Sequence, residues 1–270
     1  MRELQKLAAF LRRDWRIRSC YRFSMLISLG PIVFTATSFF FIGQLIDPQH
    51  PTALTPYGGA YFPFVVLGLA LAPYLTTSLS TFAGSLREEQ LQGTLEAMLT
   101  TPARLSTIVF GGVMSEFLWA TLEALLYVGL GVIVFGLELG RMNLPATLVL
   151  LGLSVVSLSS LGVLSAGGIL LFREDDPLTW LLGGAMKLVG GVYFPVALLP
   201  GWLETLAKLF PLTYALEGLR QAVLLGRSLG ELGDVCVFLG LFAVVVWPVA
   251  LISFSWTIKR LKTTGALSFR

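Results

Sequence analysis

Charge is what this chain has least of. Only 13% of its 270 residues are Asp, Glu, Lys or Arg, where a water-soluble domain carries about 25%. With 55% hydrophobic residues and a mean hydropathy of +0.80, its apolar surface is satisfied by lipid rather than by a closed core. Histidine is nearly missing as well. His50 stands alone, in a loop, so a His-assisted serine centre or a histidine metal site lacks its parts. No Gly-Lys pair occurs either, so there is no Walker phosphate cradle, and ATP must be bound by another polypeptide. Period-two alternation is missing, which excludes a barrel, and open strands would leave backbone groups unsatisfied in lipid.

What is present is a series of long apolar runs. A helix crosses about 30 Å of hydrocarbon with about 20 apolar residues. That rule predicts spans at Phe23–Ile46, Tyr61–Leu86, Ser106–Phe135, Ala146–Phe172, Trp180–Leu199 and Val235–Ile258. The expected fold is an all-α membrane protein, one unit over 1–270 with six transmembrane helices. The late start and length of the first run speak against a cleavable signal peptide.

The net charge of +3 and pI near 9 do not point to nucleic acid, because the basic residues gather at the ends of the apolar runs. Arg2, Lys6, Arg12, Arg13, Arg16, Arg18 and Arg22 precede the first, and Lys259, Arg260, Lys262 and Arg270 follow the last. Arg87, Arg104 and Arg173 fall on the same side, whereas the opposite loops hold Arg141, Lys208, Arg220 and Arg227. The positive-inside rule then places both termini in the cytoplasm. In this topology Cys20 and Cys236 sit on opposite faces and cannot pair. Residues 1–22 form more than a tail: Leu4, Leu7, Leu11 and Trp15 recur at helical spacing among cations, the pattern of an interfacial amphipathic helix touching anionic lipid.

Two polar interruptions carry the functional signal. The first, 87–102, contains Glu88, Glu89, Gln92, Gly93, Thr94, Glu96 and Pro102 between apolar runs. Helix propensity is good across Glu88–Leu99 apart from Gly93, and Thr100-Thr101-Pro102 gives a firm stop. Such a helix must lie at the cytoplasmic surface. The second, 200–233, is apolar but broken by Pro211 and dotted with Glu204, Lys208, Glu217 and Arg220. It is too short and too charged to span, and two short re-entrant helices in the outer leaflet fit it.

The first segment, Glu89 followed by Gln92-Gly93-Thr94-Leu95-Glu96 and Thr101-Pro102, resembles the coupling segment of ABC-2 type transporter permeases. The stretch Gly191-Val192-Tyr193-Phe194-Pro195, then Leu199-Pro200-Gly201-Trp202, then Phe210-Pro211-Leu212-Thr213-Tyr214 and Arg220, is similar to the C-terminal half of the same family. The resemblance covers nearly the whole chain. It implies that residues 87–102 dock in a groove of an ABC ATPase subunit. It further implies that ATP and Mg sit on that partner, with no cofactor on this chain, and that two permeases, identical or merely similar, line the pathway. An exporter moving a drug, lipid or lipid-linked glycan out through a bacterial plasma membrane is the implied activity. The compact outer region leans toward amphipathic substrates. A transport subunit of this kind is not itself an enzyme.

Charges inside spans cost about 2.5–3.5 kcal/mol for Asp, Lys or Arg. Glu116 and Glu123 are two turns apart on one face of the third run, and Lys187 lies in the fifth. Lys187 is expected to pair with Glu116, or failing that Glu123, pinning those spans together. A rival function, a proton-coupled secondary transporter using Glu116, Glu123 and Lys187, rests on the same three residues, but no inverted repeat supports it. Ser154, Ser157, Ser159, Ser160 and Ser165 suit close helix packing in the fourth run. Pro31, Pro63, Pro73 and Pro248 are expected to kink their helices.

Overall fold

A computed structural model describes residues 12–13, 16, 22–45, 53–91, 105–172 and 177–263. Among the described residues every regular element is helical: α1 Arg22–Leu45, α2 Tyr61–Leu91, α3 Leu105–Ile133, α4 Leu144–Phe172, α5 Pro177–Val189, α6 Gly201–Ala207, α7 Pro211–Leu224 and α8 Gly233–Thr263, with 3-10 turns at Thr55–Tyr57 and Val196–Leu198. This is the only economical solution in lipid, because a helix satisfies its own backbone.

Among the described residues, four segments are both long and apolar enough to cross a membrane: Tyr61–Thr81, Val113–Ile133, Leu144–Ser165 and Gly233–Trp256. They match the expected second, third, fourth and sixth spans. In α1 the apolar stretch Leu29–Leu45 is shorter than those four. The fifth run departs from expectation. Its helix, α5, has 13 residues and ends at Val189, so Trp180–Leu199 is not one continuous helix. The break has a local cause. Gly191 takes φ +87°, a left-handed conformation that side chains other than glycine's resist, and Pro195 cannot donate to a helical ladder. A 13-residue helix rises about 20 Å, short of the hydrocarbon thickness.

Helix α2 is the hub, packing against α1, α3, α4, α5 and α7, while α8 runs along α4 and touches α7. The main core joins Leu75 and Leu79 of α2 to Leu150 and Leu158 of α4, Leu216 of α7 and Leu239 of α8. Close approach of α4 is made possible by small residues. Ser154, Ser157 and Ser160 are fully buried, and each donates its hydroxyl back to its own helix, to Leu150, Ser154 and Ser157 carbonyls respectively. The packing surface is thereby left thin and satisfied. Ser165 also donates to the Leu79 carbonyl at 3.1 Å, tying α4 to α2. Across the other side, the Trp247 indole donates to the Val156 carbonyl, tying α8 to α4.

Pro31, Pro73 and Pro248 fall inside α1, α2 and α8. Pro63 does not act as a kink, because it is the third residue of α2, in the first turn, where a missing N–H removes no ladder bond.

Candidate functional site: the Arg220 junction and the charged residues of α3 and α5

The short helices α6 and α7 lie within the 200–233 segment. Pro200 precedes α6, and Pro211 opens α7 at a position suited to proline. Thr213 donates its hydroxyl to the Ala207 carbonyl at 2.7 Å, so the turn between the two helices is closed from within. Helix α7 is buried along most of its length, from Pro211 through Val223. On α6, Trp202 is 67% exposed.

Arg220 is the centre of this region. Only 3% of it is exposed, although it is a cation on a short helix. Its Nε donates to the Phe64 carbonyl at 3.0 Å and its Nη2 to the Val192 carbonyl at 3.1 Å. The guanidinium carbon lies 3.4 Å above the Phe64 ring centroid and 5.9 Å from that of Tyr57. Carbonyl dipoles and ring faces thus replace the water that a buried cation loses. Gly68 makes room for this arrangement: a Cβ there would land on the Val192 carbonyl and crowd Arg220 Nη2. Three separate segments, α2, the loop after α5, and α7, meet at one guanidinium.

Above it lies a polar cavity of about 240 Å³, lined by Tyr57, Glu204, Lys208, Thr213, Glu217 and Arg220 among others. Lys208 and Glu204 form an i,i+4 ion pair at 2.7 Å, and the hydrogen bond to Glu204 raises the Lys208 ammonium above its ordinary pKa. Burial pushes the Tyr57 phenol up, Glu217 adds to the rise, and Arg220 opposes it. Gln221 donates to Glu217 at 3.3 Å and accepts from Arg227 at 2.8 Å, which orders the far end of α7. The remaining motif residues support the same junction. Tyr61 donates to the Tyr193 carbonyl at 3.0 Å, the Tyr193 ring stacks on Phe39, and Tyr214 stacks on Phe238 with centroids 3.7 Å apart. Pro195 precedes the 3-10 turn at Val196–Leu198.

Deeper in the helices, Glu116 and Glu123 are half-buried on α3, and Lys187 is half-buried in the last turn of α5. Lys187 and Glu123 lie near enough for a through-space electrostatic interaction. An apolar cavity of about 170 Å³ lies between α2, α3, α4 and α7, with Tyr74 and Thr121 on its wall. Tyr74 donates to the Thr121 hydroxyl at 2.9 Å.

At the other end of the molecule, α2 continues unbroken through Glu88 and Glu89 to Leu91. The remaining island residues, Gln92, Gly93, Thr94, Glu96 and Pro102, lie outside the described residues, as does most of the 1–22 segment. Among the described residues, α2, the loop after α5 and α7 meet in one junction around Arg220. Tyr57, Phe64 and Gly68 belong to that junction without having been singled out from sequence. Gly68, a glycine in the middle of an apolar run, was the one available signal.

The family model described as ABC-2 type transporter matches residues 5–224. The inner membrane transport permease YadH of Escherichia coli strain K12 is 24% identical over 225 residues, covering 82% of this chain and 86% of that protein. Nodulation protein J of Rhizobium leguminosarum bv. trifolii is 27% identical over 197 residues, 70% of each chain. The linearmycin resistance permease protein LnrN of Bacillus subtilis strain 168 is 23% identical over 169 residues, 63% of this chain. The match spans 43% of that relative's own length.

Proposed function

The chain belongs to the ABC-2 type transporter family, and from that premise we propose that it is the membrane permease subunit of an ATP-driven exporter. As a family member it is a multi-pass membrane protein and a transport subunit. Its partner in this reading is an ABC ATPase that binds ATP and Mg, since the chain contains no Gly-Lys phosphate cradle. The observation that carries the reading is the family match over 5–224, which takes in both the 87–102 island and the outer hairpin. The island follows a helix of 31 residues, about 46 Å long, so the end of α2 reaches beyond the hydrocarbon to where a soluble partner docks.

A second permease copy, or a similar chain, completes the pathway, and both termini lie in the cytoplasm of a bacterial inner membrane. The relatives' names refer to linearmycin resistance and to nodulation, so the family fixes no single substrate. The short outer segments favour an amphipathic cargo such as a drug, a lipid or a lipid-linked glycan. Proton coupling through Glu116, Glu123 and Lys187 gains no support from the family match.

The test is co-purification with the ATPase, then ATP hydrolysis measured against a panel of lipids, drugs and glycan carriers. An ATPase that binds this chain and is stimulated by one amphipathic class is the expected result. Absence of any associated ATPase overturns the proposal. For topology, Thr52→Cys should react with an impermeant maleimide from outside intact cells. Labelling only after permeabilisation reverses the orientation.

A further inference from the structure

We infer that Arg220 is a positioning residue through which movement of α2 is passed to the outer hairpin. The inference rests on the transport reading above and names the point where a cytoplasmic event reaches the opposite face.

The argument starts from the shape of α2. It is one helix from Tyr61 to Leu91, so a tilt imposed at Glu88–Leu91 displaces Phe64 and Gly68 at the other end. Those two residues are where Arg220 is seated. The guanidinium holds the Phe64 carbonyl with Nε and the Val192 carbonyl with Nη2. Among the described residues no carboxylate stands within ion-pair distance of it, and Glu217 acts only through space. A cation held by two carbonyls from two elements is held by direction as well as by charge. Arginine's planar fork suits that task, whereas an ammonium would satisfy the charge without fixing both partners.

The surroundings are shaped to the same end. Gly191, at φ +87°, turns the chain so that the Val192 carbonyl faces α2, and Gly68 leaves no Cβ to block it. On the far side, the Thr213 hydroxyl bonded to the Ala207 carbonyl ties α6 to α7. Displacing Arg220 therefore carries both hairpin helices, together with the wall of the 240 Å³ cavity they line. Burial alone does not account for this construction, because a buried apolar side chain at 220 would pack α7 more cheaply than a cation. Besides the hydrogen bond from Tyr61 to the Tyr193 carbonyl, which joins α2 to the loop after α5, what the arginine adds is a directional link that brings α7 into the same junction.

The experiment uses the complex of this chain with its co-purifying ATPase, reconstituted in phosphatidylethanolamine–phosphatidylglycerol vesicles. Leu198→Cys, at a residue 62% exposed just ahead of α6, is introduced with Cys20→Ser and Cys236→Ser. Its rate of reaction with an impermeant maleimide is compared in Mg-ADP and in Mg-ATP with vanadate. The parent should show two distinct rates. Arg220→Lys should keep ATP hydrolysis and the Mg-ADP rate, while the difference between the two states shrinks roughly tenfold, the scale expected for losing charge-assisted hydrogen bonds. An undiminished difference in Arg220→Lys overturns the inference. Where that variant fails to accumulate, Phe64→Leu keeps the cation and both carbonyls but removes the ring beneath the guanidinium. A reduced response supports the link and a full response overturns it. If the parent complex itself ignores nucleotide, the exporter reading fails, and this inference with it.

Discussion

Helices α2 and α8 are the same length, 31 residues each, yet they occupy opposite positions. The Tyr61–Thr81 segment of α2 is 72% buried, while Gly233–Trp256 of α8, the more apolar of the two, is 17% buried. In water the order would be reversed. In lipid an apolar side chain gains little by leaving the solvent, so close packing and polar satisfaction decide which helix goes inside. Helix α2 has the means for that: Gly68 under a carbonyl, Tyr74 bonded to Thr121, and Leu79 offering its carbonyl to Ser165. Helix α8 presents Val237, Leu241, Val244 and Ile252 outward. The buried helix also runs from the Arg220 junction at Phe64 to Glu88 and Glu89 at its far end.

The sharpest way to break this comparison is a single methyl group placed on each helix. Gly68→Ala puts a Cβ onto the Val192 carbonyl, and overpacking of that kind costs about 3 kcal/mol or more when backbone must move. Gly240→Ala in α8 meets nothing within 4 Å and should shift stability by less than ~0.5 kcal/mol. Melting of the detergent-purified protein reads both. Equal losses would remove the distinction between hub and periphery.

A second test addresses the C-terminal end of α2. Glu89→Lys and Glu96→Lys reverse charge on the segment expected to dock, and like-charge juxtaposition at an interface costs several kcal/mol. Recovery of the ATPase with the permease should fall roughly tenfold or more, while membrane insertion is unchanged. Full recovery in both variants removes residues 87–102 from the docking role.

Smaller still is the coupling between α5 and α3. Lys187→Ala and Glu123→Ala should each impair expression or transport, and the double variant should regain part of the loss, with an interaction term of about 1 kcal/mol. The same cycle with Glu116 decides between the carboxylates. Additive losses in both cycles would mean that Lys187 faces water or the interface instead.

The long spans were readable because run length and apolarity alone define them. The starts at Tyr61, Leu105, Leu144 and Gly233 lie within two residues of the expected Tyr61, Ser106, Ala146 and Val235. The fifth run was only partly legible: a loop can be as apolar as a helix, and of the two residues that break it Pro195 shows in the sequence whereas the left-handed conformation of Gly191 does not. Arg220 was visible as a motif residue, but its environment was not. Its partners are backbone carbonyls 156 and 28 positions away, and carbonyls leave no mark in a sequence. The partner of Lys187 was equally hidden, since depth along unaligned helices was the only guide.

The smallest effect belongs to the outer face of α8. Leu75 on α2 is fully buried, and Leu75→Ala should cost about 2–5 kcal/mol through the cavity it leaves. Val244 on α8 is 71% exposed. If lipid covers it, Val244→Ala exchanges one apolar contact for another, and the change should stay within ~0.5 kcal/mol. The measurement is thermal unfolding in lipid nanodiscs, where the surrounding acyl chains are retained. A loss approaching that of Leu75→Ala would show that α8 is packed against protein at this position, and a second permease chain would be the occupant to test by crosslinking through Val244→Cys. Helix α8 would then be central to the assembly while remaining peripheral in the single chain, so the contrast with α2 would hold only for the isolated protomer.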